Sequence, residues 1–66
     1  MKILRLEDLS EAEKKRLDIK ELEWFNEVYR YRLNAGYASY DEKRELPVQI
    51  KEFERMIAYA KEHKEA

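Results

Sequence analysis

The sequence has no cysteine, one glycine, one proline and one histidine in 66 residues. Without cysteine, neither a disulfide nor a thiolate zinc site can brace the chain, and the absence suits a cytosolic setting. With His63 as the lone imidazole, no structural metal is expected. The scarcity of glycine and proline argues against sheets and hairpins, whose turns usually need these residues. Long apolar runs are missing too. None approaches the roughly 20 residues that cross a bilayer, and the opening MKILRLEDLSE meets charge too early for a secretory signal. The expectation is a soluble, cytoplasmic chain with no membrane contact.

An excess of one charge is also absent. The chain carries 14 Lys and Arg against 15 Asp and Glu, for a formal net charge of −1. Residues 1–36 hold eight acidic and eight basic side chains, and residues 37–66 hold seven and six. A free-standing nucleic-acid binder usually shows a basic excess. Hydrophobic residues make up 44% of the chain, which argues against a disordered tail. A chain this short forms one domain at most and buries only about 60% of its unfolded surface. Helix packing, intrinsic helix tendency or a partner must supply its stability.

What is present is rich in Glu, Lys, Leu, Arg and Ala, all good helix formers. The predicted class is all-α, an antiparallel helical hairpin or a small three-helix bundle. Residues 1–9 read as an extended arm whose Leu6 and Leu9 lie on the helical core. Ser10-Glu-Ala-Glu13 is a capping box that starts a helix. No glycine or proline interrupts residues 10–35, so one continuous helix is favoured there. The alternative is a first helix ending near Leu17 and a second starting at the possible cap Asp18. Asn34-Ala35-Gly36 ends the segment, with glycine supplying the left-handed closing conformation. Residues 36–46 form the connection, where Ser39-Tyr-Asp-Glu42 offers a further short helical turn. The final helix is expected over 47–63, because proline suits a first helical position. Leu46, Ile50, Phe53, Ile57 and Ala60 follow the four-three spacing of a packing seam.

Candidate chemistry is thin. His63 sits where a helix C-terminus favours positive charge. The carboxylates mostly pair with Lys or Arg three residues away, as in Lys20–Glu23, Lys51–Glu54 and Glu52–Arg55, and read as a solvated surface. Neither a Glu-x-x-His di-metal spacing, nor a glycine-rich phosphate loop, nor a G-x-S-x-G elbow occurs. No catalytic residue, cofactor or metal is expected, and the chain does not read as an enzyme.

The informative stretch is aromatic. Adjacent Trp24 and Phe25 point about 100° apart on a helix, so both cannot centre one seam. Either Phe25 packs in the core with Trp24 beside it under the arm, or Trp24, Val28 and Tyr31 form an exposed stripe for a protein partner. Tyr37 and Tyr40 either fold back over the hairpin tip or extend that binding surface. The breadth of the apolar face on residues 19–33 also suits self-association. A competing use is single-stranded RNA, with bases stacked on the tyrosines and phosphates held by Arg30, Arg32, Lys43 and Arg44.

The order of motifs resembles a family. Leu9-Ser10 starts a long helix that closes in Arg30-Tyr-Arg-Leu-Asn-Ala-Gly36, and a second amphipathic helix carries Phe53-Glu-Arg55-Met56. This is similar to the small helical-hairpin protein beside the peptide exit tunnel of the large ribosomal subunit. The resemblance implies a hairpin that binds ribosomal RNA through arginines on its second helix. Here Glu45, Glu52 and Glu54 occupy that helix and Arg55 is its one arginine. The expected function is therefore a non-catalytic protein-interaction module, whether natural or an engineered helical scaffold, with RNA binding as the alternative.

Overall fold

The computed structural model describes residues 2–36 and 38–63. It is all-α. An extended arm leads into a single 3-10 turn at Leu6–Asp8, followed by α1 (Glu11–Lys15), α2 (Ile19–Asn34) and α3 (Tyr40–His63). No strand occurs among the described residues.

Local chemistry explains each helix start. Ser10 and Glu13 form a reciprocal box, with the Glu13 N–H donating to Ser10 Oγ at 3.2 Å and the Ser10 N–H to Glu13 Oε1 at 2.9 Å. The favoured uninterrupted helix over 10–35 does not form. Asp18 breaks it by accepting from the Lys20 and Glu21 amides at 2.9 and 3.3 Å. An aspartate offering such local bonds competes with helix continuation. The break also lets Leu17 pack on the core together with Leu6 and Leu9.

At its other end α2 closes as its sequence suggests. The Ala35 N–H donates to the Tyr31 carbonyl at 2.8 Å, and Gly36 takes φ +80°. The final helix does not wait for Pro47. It starts seven residues earlier, behind a second box in which the Glu42 N–H meets Ser39 Oγ at 3.3 Å and the Ser39 N–H meets Glu42 Oε1 at 3.4 Å. Pro47 therefore lies in a helix interior, where it has no N–H to give the Lys43 carbonyl. Burial of Leu46 beside it and the Glu42 cap hold the turns on its N-terminal side.

α2 packs antiparallel along α3. Phe25 stacks on Phe53 with centroids 6.0 Å apart, and Tyr29 meets the same ring edge-on at 5.1 Å. Leu22, Phe53 and Met56 form the buried centre. Along α3, Leu46, Ile50 and Phe53 are buried and Ile57 and Ala60 half-buried, on the expected row. A second row, Gln49, Glu52 and Met56, is equally buried. The arm covers it.

Candidate protein-binding surface

The outward side of α2 carries three large side chains in line. Trp24 is 59% exposed, Val28 40% and Tyr31 69%. They are spaced four and three residues apart, which places them on one face of the helix. The core-facing residues of α2 are different ones: Leu22 buried, and Ile19, Phe25, Tyr29 and Leu33 half-buried. Of the two readings of the Trp24-Phe25 pair, Phe25 does enter the core. Trp24, however, does not lie under the arm. It stands at the surface with its ring edge-on to Phe25, centroids 5.1 Å apart. Tyr40, in the first turn of α3, is 78% exposed and does not fold over the hairpin tip. Tyr37 lies outside the described residues.

The four basic candidates do not form one patch. Arg30 reaches across to Glu54 at 3.6 Å. Arg32 grips Glu42 with two nitrogens, Nε to Oε2 and Nη2 to Oε1 at 3.1 Å. That forked bond holds the Glu42 carboxyl below the ordinary glutamate range and the Arg32 guanidinium above its own, and the Ser39 cap adds to the effect on Glu42. Lys43 and Arg44 are exposed, and Arg44 shares a shallow cleft with Asp41 and Glu45. Two of the four cations are thus already neutralised by carboxylates.

His63 stacks on Tyr59 with centroids 4.0 Å apart, and its Nδ1 lies 3.0 Å from the Tyr59 carbonyl. Among the described residues no three His, Asp or Glu side chains gather as a metal site would require.

Sequence reasoning missed a second site, on the row of α3 that flanks the seam and lies under the arm. Gln49, 2% exposed, uses both atoms of its amide on the backbone of Leu4. The Leu4 N–H donates to Oε1 at 2.7 Å, and Nε2 donates to the Leu4 carbonyl at 2.9 Å. One turn on, Glu52 accepts the Leu6 N–H at 3.2 Å. Arg55 at 3.1 Å and Arg5 at 3.8 Å compensate its charge. The Glu52–Arg55 pair was expected on a solvated surface, but Glu52 is buried, 6% exposed, beneath the arm. The available signal was the arm itself. An extended segment laid on a helix has backbone donors and acceptors that must find partners, and Gln49 and Glu52 sit at the spacing to meet them.

No protein-family model matches the chain, and no curated protein and no solved structure matches it.

Proposed function

We propose that the chain is a non-catalytic protein-interaction module whose contact surface is the Trp24–Val28–Tyr31 line, extended by Tyr40 and, on the sequence alone, by Tyr37. One observation carries the reading: α2 has an inward row packed on α3 and, separately, an outward row of large apolar residues left exposed by the described residues. Isolated surface apolar residues are ordinary, but a contiguous apolar row is a recognition feature. Trp and Tyr are the residues that most often anchor protein contacts. RNA binding is the weaker reading, because Arg30 and Arg32 would have to release Glu54 and Glu42 to reach phosphate.

A benzophenone amino acid at position 28, compared with one at the exposed position 61, tests the reading by photo-crosslinking in cell extract. The expected result is a discrete protein adduct at 28 only. Trp24→Ala should weaken its yield at least tenfold, and added salt should change it little. A nuclease-sensitive adduct that fades steeply with salt would favour RNA. Equal yields at 28 and 61 would mark the row as bare scaffold surface and overturn the proposal.

A further inference from the structure

From the Gln49–Glu52 side of α3 we infer a second binding site: a receptor for an extended peptide segment of a partner, apolar–basic–apolar in pattern, with a bulky first apolar residue. The chain's own residues 4–6 occupy it in cis and show its chemistry. Gln49 takes the N–H and C=O of one residue, and Glu52 takes the N–H two residues later. Alternate backbone groups on one side are what an extended chain presents. Recognition through main-chain hydrogen bonds is how extended peptides are commonly held, with side-chain pockets adding selectivity. Between the two apolar positions, Arg5 lies 3.8 Å from the buried Glu52 carboxylate, which explains the basic preference.

The arm fits this site incompletely. Leu4 remains 47% exposed, yet it borders an open groove of about 310 Å³ lined by Leu17, Leu22, Phe25 and Phe53 and also by the charged Arg16 and Glu21. For scale, an engineered apolar cavity of about 150 Å³ admits a benzene ring. A segment with an aromatic side chain at the Leu4 position would fill the groove and keep every backbone bond. Outside its one 3-10 turn the arm makes no regular structure, so its hold on α3 is the three backbone bonds to Gln49 and Glu52 and the packing of Leu6 and Leu9.

Titration of the intact 15N-labelled chain with acetyl-Lys-Ile-Trp-Arg-Leu-amide tests the inference. Binding should raise amide exchange at Leu4 and Leu6 at least tenfold, because the arm is displaced, while Phe53 and Met56 stay protected. A peptide N-methylated at the tryptophan nitrogen, which cannot donate to Gln49, should bind about tenfold more weakly. Leu4→Trp in the chain itself should slow exchange at Leu4 and Leu6 and weaken the peptide about tenfold, by filling the groove in cis. No displacement at millimolar peptide, equal affinity for the N-methylated peptide, or unchanged exchange in Leu4→Trp would overturn it. A doubling of mass with Leu4 and Leu6 still protected would show arms exchanged between copies and assign the site to a second copy instead.

Discussion

At the residue scale, Asn26 is the odd member of the packed face of α2. It falls on the three-four row of Ile19, Leu22, Tyr29 and Leu33, and its buried Oδ1 accepts no hydrogen bond from the described residues. A buried acceptor without a donor costs about 1–3 kcal/mol. Asn26→Leu should therefore raise the stability by about 1 kcal/mol, read as a higher urea midpoint at unchanged slope. A lower midpoint would mean that the amide fixes the register of the two helices, as single buried asparagines do in some coiled coils. Only the departure of Trp24 from the seam was legible at this scale, because two adjacent large rings cannot share one seam; its exposure was not, since a place under the arm was equally open to it. Gln49 and Glu52 were not legible. Polar residues on an amphipathic helix look solvated until something is known to lie over them, and what lies over them here is 45 residues away in sequence.

At the element scale, each cap read from the sequence exists, yet two helix boundaries moved. Ser10, Ser39 and Gly36 act where local chemistry places them. The break at Asp18 follows the alternative cap that the sequence offered, whereas the run of α3 through Pro47 depends on packing, which local propensity does not see. α1 closes at Arg16 and Asp18 caps the start of α2, so that Leu17 between them packs on the core, and Pro47 is tolerated because Leu46 is buried and Glu42 is doubly anchored. An interior proline is about 3 kcal/mol less favourable than alanine in a helix, part of which is offset by a stiffer unfolded chain. Pro47 is exposed, so Pro47→Ala disturbs no core contact. It should stabilise the protein by about 1–3 kcal/mol in chemical denaturation. No gain would mean that neighbouring groups already compensate the missing amide.

At the scale of the whole molecule, the chain is a thin slab of 39 × 21 × 13 Å with a radius of gyration of 12.6 Å. A compact domain of this length would have a radius near about 11 Å, so much of the structure lies close to solvent and carboxylates at its rim matter. Glu42 joins α2 to the start of α3, and Glu13 closes the cap of α1. The Arg32 bond lowers the Glu42 carboxyl, and the Ser10 amide lowers that of Glu13. A lowered carboxyl favours its charged form in the fold. Its contribution is thus complete above the ordinary glutamate range and lost as pH falls through the lowered values. Carboxyl NMR should show Glu42 titrating below a free glutamate, with helicity falling in the same acid window, and Arg32→Gln should bring the midpoint back up. An ordinary Glu42 midpoint in the unaltered chain would refute the link. The all-α class was legible from composition, and the hairpin from the two rows of apolar residues. The arm's place was only half legible, since Leu6 and Leu9 announced contact with the core but not with which side of α3. That placement has a consequence during synthesis. At about 5–20 residues per second, several seconds separate the emergence of Leu4 from that of its receptor Gln49, and in that interval a nascent chain displays Ile3, Leu4 and Leu6 to whatever chaperone or neighbour is at hand.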